Sequence, residues 1–374
     1  MKIGINVFGV DKDGRSGLGT YFISLLKKFP EVCEHEVEIF GSKSDRYIFF
    51  NKEINYKYHS KNMKEGSTIS KLWNIFSLPG FVKKQKYDVV IYNVSANVTP
   101  FVGNAKGVAI VQDIISFTLK NMDNVFMKKS LLSSLNNATR IIATSQFIKK
   151  DLVTLGIDKE KIDVIHNGLD HSTFYPHTEF EDDVVLINPF SIRRPFLIYA
   201  SRLSCPEKKH IELIKAFSLF KEKTGAPHRL VLAGAEQRYA KDVQKAVENS
   251  PYSSDIFITD YFEHDNLPEL YSCADACIFP SVIDGSGLSV IEAISTGTPV
   301  LCARAGALQE IAGDSALYSN PDDIEEFASF IQQIIEDKSL RKRLINNGLD
   351  RVKLFSWKNT ATKTIEVLDK VVEN

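Results

Sequence analysis

Cysteine is scarce. The five residues, Cys33, Cys205, Cys273, Cys277 and Cys302, are odd in number and scattered, which excludes a disulfide framework and any zinc-ligand spacing. Cys273 and Cys277 stand one helical turn apart and read as small core residues. No run of about 18 apolar residues occurs, so no membrane-crossing helix is expected. The start, Met1-Lys2 followed by IGINVFGV, has no small-residue cleavage site and is broken by Asp11-Lys12-Asp13. It reads as a first buried strand and not as a signal peptide. An excess of one charge is also missing: 46 Lys+Arg stand against 47 Asp+Glu, a net charge of -1, with 44% hydrophobic residues. That balance excludes intrinsic disorder and a uniformly basic nucleic-acid binder. A cytoplasmic protein is expected, in which the sequons at Asn93 and Asn97 are idle.

What is present is length and alternation. A chain of 374 residues is long enough for two domains, each with its own core. Short Val- and Ile-rich runs recur between segments of helical period, which predicts parallel sheets covered by helices on both faces. In the first half the strands are expected in KIGINVFG, HEVEIFG, YDVVIYNVS, GVAIVQDI, RIIATS and DVIHNG. After His166-Asn167-Gly168 the pattern stops for some two dozen residues with three prolines and an acidic cluster, then restarts with PFLIYASR, HRLVLAGA, DIFITDY, ACIFPS, PVLCA and ALYS. The expectation is an α/β chain of two Rossmann-like, doubly wound domains facing an interdomain cleft. Its boundaries are 1–170, a linker over 171–194, and 195–355, with a C-terminal helix at about 356–374 returning to the first domain.

The neutral total hides an asymmetry. Residues 1–177 carry 24 Lys+Arg and 17 Asp+Glu, and residues 178–374 carry 22 and 30. The basic excess is densest between Ser44 and Lys86, which suits either a surface for phosphates or anionic lipid, or an ordinary solvated face.

Ligands of open α/β sheets bind where strand ends lead into helix N-termini. The first such loop, Gly14-Arg15-Ser16-Gly17-Leu18-Gly19, can cradle a phosphate or simply turn the chain. Asp11-Lys12-Asp13 has the form of a cation-binding triplet, but an early solvated turn explains it as well. Arg202 and Lys208, in SRLSCPEKKH, flank a strand end and a helix start, where two cations balance most of a diphosphate's charge. The most informative stretch is ACIFPSVIDGSGLSVIEAISTGTPVLC. There Asp284 and Glu292 are eight positions apart, with the backbone amides of Gly285, Ser286, Gly287 and Leu288 between them, outside the helix ladder.

Asp284-x7-Glu292 within FPSxxDGSGLSVIEAISTGTPV resembles the Glu-x7-Glu signature of retaining glycosyltransferase family 4, which has the GT-B fold. The SGLGTY loop, RIIATSQFIKKDL, VIHNGLD, SRLSCPEKKH, LVLAGAE, LPELYSCADACIFPS and FSWKNTA follow in the family's order, so the resemblance spans nearly the whole chain. SRLSCPEKKH is most similar to the version in bacterial enzymes that build surface polysaccharides, including lipopolysaccharide mannosyl- and rhamnosyltransferases.

The resemblance implies that Arg202 and Lys208 grip the donor diphosphate while Gly17 touches the same phosphates from the other domain. It implies that Glu292 accepts hydrogen bonds from the nucleotide ribose, that Asp284 binds donor-sugar hydroxyls, and that Gly285, Ser286, Gly287 and Leu288 line the sugar and distal phosphate. Tyr261 falls near the nucleobase. Two departures stand out. The first glutamate is replaced by the shorter Asp284, and the family's His-Asp pair is Gln112-Asp113 here, so Gln112 on the sugar side cannot serve as acid or base.

A retaining transfer from a nucleotide-diphosphate sugar is thus expected, with no covalent enzyme nucleophile, no cofactor and no obligatory metal. The expected partners are the donor, a glycan or lipid-linked acceptor and, through the basic half, the anionic inner face of the cytoplasmic membrane, with no nucleic acid. A non-catalytic nucleotide-sugar-binding subunit is the alternative that Gln112 and Asp284 suggest. A nicotinamide oxidoreductase using the glycine loop and Glu38 is the rival from another class.

Overall fold

The computed structural model describes residues 1–8, 10, 17–50, 52–63, 73–94, 105–177, 184–187, 190–203, 206–234, 240–259 and 264–373. The chain divides into two compact units, one formed by Met1–Gly168 with Phe355–Asn374, the other by Leu169–Leu354.

Unit 1 is built on a seven-stranded sheet in the order β3-β2-β1-β4-β5-β6-β7. The strands are β1 (Lys2–Asn6), β2 (Glu36–Ser42), β3 (Lys57–Lys61), β4 (Val89–Asn93), β5 (Lys106–Val111), β6 (Arg140–Ala143) and β7 (Ile162–Val164). Every pairing is parallel. The central strands are buried along their length, which is why they read as continuous apolar runs and not as alternations. β3 escaped the pattern because it is an edge strand, KYHSK, only partly buried and lysine at both ends.

The first helix, Gly17–Val32, buries Tyr21, Phe22, Leu25, Leu26 and Phe29 at helical spacing against Ile3 and Ile5 of β1. The last helix, Trp357–Glu373, brings Trp357, Ala361, Ile365, Leu368 and Val371 into the same cluster. Trp357 meets Tyr21 edge-on at 5.5 Å, Thr360 donates to the His166 carbonyl at 2.9 Å, and Lys106 Nζ donates to the Val371 carbonyl at 2.7 Å. Gly168 makes the docking possible: a β-carbon there would overlap the Trp357 backbone.

Unit 2 carries a six-stranded parallel sheet in the order β12-β11-β10-β13-β14-β15. Its strands are β10 (Phe196–Ala200), β11 (Arg229–Ala233), β12 (Ile256–Thr259), β13 (Ala276–Phe279), β14 (Val300–Ala303) and β15 (Ala316–Ser319). Before them, β8 (Val184–Ile187) and β9 (Phe190–Arg193) pair as an antiparallel hairpin. That hairpin lies in the stretch expected as a linker over 171–194, which clusters with unit 2. Its strands are four residues each and follow an acidic run, too short to carry a visible period.

Both sheets reverse direction of winding once, between β1 and β4 and between β10 and β13. In open α/β sheets the crevice beyond the carboxyl ends of those strands is where ligands bind. Among the described residues, no helix is long and apolar enough to cross a membrane.

Candidate functional site

In unit 2 the reversal point is flanked by the loops after β10 and β13. Ser201 continues from β10 by donating its amide to the Ala233 carbonyl at 2.8 Å. Gly234 lets the end of β11 press close to it, since a β-carbon there would overlap the Ser201 carbonyl. Arg202 follows on the solvent side, its side chain exposed.

Four residues later the chain turns back. The Val282 amide donates to the Glu207 carbonyl at 3.1 Å, and Lys208 Nζ lies 3.5 Å from the Ile283 carbonyl. The Lys208 loop and the loop after β13 are therefore joined. Lys209 is turned away from them in a left-handed conformation and pairs with Asp322 at 2.6 Å and Glu212 at 3.4 Å. Burial works to lower its pKa, but these two acids outweigh it and hold the ammonium above its ordinary value.

After β13, Ser281 Oγ donates to the Ile283 carbonyl at 2.9 Å and sets the loop's entry. Asp284 Oδ1 then accepts the amides of Ser286 at 3.1 Å and Gly287 at 2.7 Å. Two of the four amides expected to meet a ligand are thus engaged by the loop itself, because the short Asp284 carboxylate closes an Asx-type turn. The Asp284 carbonyl accepts from Ala307 at 2.9 Å. Gly306, at φ 61°, faces that carbonyl so closely that a β-carbon would overlap it. Gly287, at φ 62°, starts the helix Leu288–Ser295.

Glu292 sits on that helix and is 3% exposed. Its Oε1 lies 3.2 Å from His264 Nε2. His264 stands in the turn His264–Asn266 after β12, edge-on to Phe174 at 5.4 Å. Burial lowers the pKa of His264, but the hydrogen bond and charge of Glu292 outweigh it, so the imidazole holds its proton above the usual range. Burial, reinforced by the Glu292 charge, keeps the Tyr271 phenol protonated. Sequence reasoning missed His264, which is 28 positions from Glu292 and carries no motif of its own.

In unit 1 the corresponding strand ends hold amides. Asn6 Oδ1 accepts the Phe8 amide at 3.0 Å, and Asn93 Nδ2 donates to the Phe8 carbonyl at 3.1 Å, so two asparagines on neighbouring strands clamp the chain leaving β1. Gln112 follows β5, half-buried, with Nε2 enclosed and lacking a hydrogen-bond partner among the described residues. Asp113 beside it is exposed, and Gly17 begins the first helix on the surface. Tyr261 and the Asp11-Lys12-Asp13 triplet lie outside the described residues.

Glu38 is not at a strand end. It pairs in register with Gly4 in the middle of β1 and is enclosed by Lys57 at 2.7 Å, His59 and Tyr87 at 2.8 Å and Lys2 at 3.1 Å. A ribose-binding acid for a nicotinamide cofactor is thereby lost, and with it the oxidoreductase reading. The structure thus joins Lys208 and Asp284 at one reversal point and sets Glu292 on the helix that follows, with Arg202 after the adjoining strand. Gly17, Gln112 and Asp113 belong to the other unit.

Residues 15–173 match the family described as Glycosyltransferase Family 4, and residues 187–351 match Glycosyl transferases group 1. O-antigen chain mannosyltransferase B of Escherichia coli is 29% identical over 265 residues, which cover 70% of this chain and 69% of that one. Among solved structures, HepE of Anabaena in complex with UDP and glucose superposes with a TM-score of 0.77 at 19% identity, covering 99% of both chains. Sucrose-phosphate synthase from Thermosynechococcus elongatus gives 0.76 at 20% identity, again over 99% of both. With one match on each unit and a fold shared along its whole length, the chain is a glycosyltransferase of family 4 with the GT-B fold.

Proposed function

We propose that this glycosyltransferase moves a hexosyl group, mannosyl first among the candidates, from a nucleotide-diphosphate sugar to a glycan or lipid-linked acceptor in surface-polysaccharide synthesis, with retention at the anomeric carbon. The observation that carries the reading is the joining of the Lys208 loop to the Asp284 loop beside Glu292 at the sheet's reversal point. The mannosyl assignment is supported by the E. coli relative, an O-antigen chain mannosyltransferase.

Cleaving a sugar-diphosphate bond leaves a strongly anionic group beside an oxocarbenium-like sugar, so the main task is to stabilise phosphate charge as it grows. Arg202 and Lys208 supply that charge as fixed cations, which is why no obligatory metal and no covalent nucleophile are proposed. Glu292 is assigned the ribose hydroxyls, and Asp284 meets the donor sugar through Oδ2, its Oδ1 being held by the loop. Gly17 is assigned to the phosphates, Tyr261 to the base, and Gln112 and Asp113 to the sugar side as hydrogen-bonding groups.

Contact with an anionic membrane is proposed for unit 1. Lys83 and Lys84 close the helix Leu78–Gln85, Lys86 caps it, and Phe76 is exposed just before it. Val125 and Phe126, also exposed, precede Lys128 and Lys129.

The test is release of nucleoside diphosphate from a panel of GDP-, UDP- and dTDP-sugars with lipid-linked acceptors, with product anomers read by NMR. Arg202→Ala and Lys208→Ala should each lower turnover by roughly 10² to 10³, the usual cost of a lost charge-stabilising group. Unchanged release in both, or activity abolished by chelator and restored by Mn²⁺, overturns the reading.

A further inference from the structure

Outside the residues just assigned, His264 touches one of them directly, its Nε2 3.2 Å from Glu292 Oε1. Glu292 is a buried carboxylate, and a buried charge needs a partner and a full set of hydrogen bonds to stay ionised. Among the described residues its one ionic partner is His264, at 3.2 Å. The pair spans two elements of unit 2: the imidazole rises from the turn after β12, and the carboxylate from the helix after β13. Phe174 closes the imidazole's flank.

We propose that His264 is a positioning residue that holds Glu292 in one orientation, engaging Oε1 so that Oε2 and the remaining lone pair of Oε1 face a vicinal diol, and that its protonation tunes how well the site takes the ribose of a nucleotide. The inference rests on the reading of Glu292 as the ribose acid. Its chemistry is simple. A vicinal diol donates two hydrogen bonds, and it binds best to a carboxylate that is both ionised and fixed in rotamer. An imidazolium fixes that carboxylate through a charge-assisted hydrogen bond, whereas a neutral imidazole fixes it through a weaker one.

Among the described residues, two further titratable groups act on the pair. Tyr271, from the helix Leu267–Cys273, remains a neutral phenol, and Asp265, in the same turn as His264, adds to the retention of the imidazolium proton. The raised pKa of His264 means that the pair is ionic below that value and loses its positive member as pH rises through it. Affinity for a ribonucleotide should therefore fall on the alkaline side.

The experiment is calorimetric titration of the full chain with GDP and UDP, and with their 2′,3′-dideoxy forms, between about pH 6 and 9. The variants are His264→Gln, His264→Ala and Glu292→Gln. Comparing each variant with the unmodified protein at the same pH cancels titration of the ligand's own phosphate. The unmodified protein should prefer ribose, and that preference should weaken by about tenfold across the range. His264→Gln, which keeps a donor but cannot titrate, should retain a preference independent of pH, and His264→Ala should lose most of it throughout. If the unmodified protein and both His264 variants share one preference and one pH profile while Glu292→Gln abolishes the preference, the ribose assignment stands and the role of His264 is refuted. If the unmodified protein shows no ribose preference, or Glu292→Gln keeps it, the ribose assignment fails and takes the inference with it.

Discussion

Replacing Glu38 by Gln removes a buried carboxylate with a readable pH signature. The carboxylate is 1% exposed. Burial alone would raise its pKa, but hydrogen bonds from Lys57, His59, Tyr87 and Lys2 outweigh burial and hold it at about 2, against an ordinary 4.5. A group depressed in this way contributes stability that is complete above its unfolded pKa and is lost as pH falls toward the folded one. The shift corresponds to about 3 kcal/mol at pH 7, falling to about 1.4 kcal/mol at pH 3. Both tryptophans, Trp73 and Trp357, lie in unit 1, so fluorescence-monitored urea unfolding reports this unit alone. The gap between the unmodified protein and Glu38→Gln should narrow by more than half from pH 7 to pH 3. A gap that stays constant over that range would show that the four donors do not stabilise the ionised form, and would refute the reasoning.

Asp284→Asn keeps an oxygen able to accept the Ser286 and Gly287 amides and should leave thermal stability unchanged while altering donor choice. Asp284→Ala should lower stability by about 1 kcal/mol, the usual cost of a lost capping acceptor, measured by calorimetry. Equal melting temperatures for Asn and Ala would argue against the turn. Gly168→Ala should drive the C-terminal helix off its seat, costing about 1 to 3 kcal/mol and shifting Trp357 emission to longer wavelength. Native emission in that variant would mean that the backbone at Trp357 yields at little cost.

The two sheets were legible because buried parallel strands are apolar on both faces and stand out as short Val- and Ile-rich runs. Ile3-Gly4-Ile5 and Leu230-Val231-Leu232 are examples. β3 and the β8–β9 hairpin were not, since an exposed edge and two four-residue strands leave no such run. The site was legible in part for a similar reason. Arg202, Lys208, Asp284 and Glu292 lie within short segments whose order alone places them after strands.

The sequence by itself determined the fold class, the glycine-bearing loop from Asp284 to Gly287 and the family, because each is written in short segments of neighbouring residues. Only the tertiary structure decided which charged groups meet. It set the buried Glu38 carboxylate among lysines, a histidine and a tyrosine, and placed His264 against Glu292. Ionic partners across 20 to 30 residues are chosen by strand register and loop closure, and a side chain's charge carries no record of them.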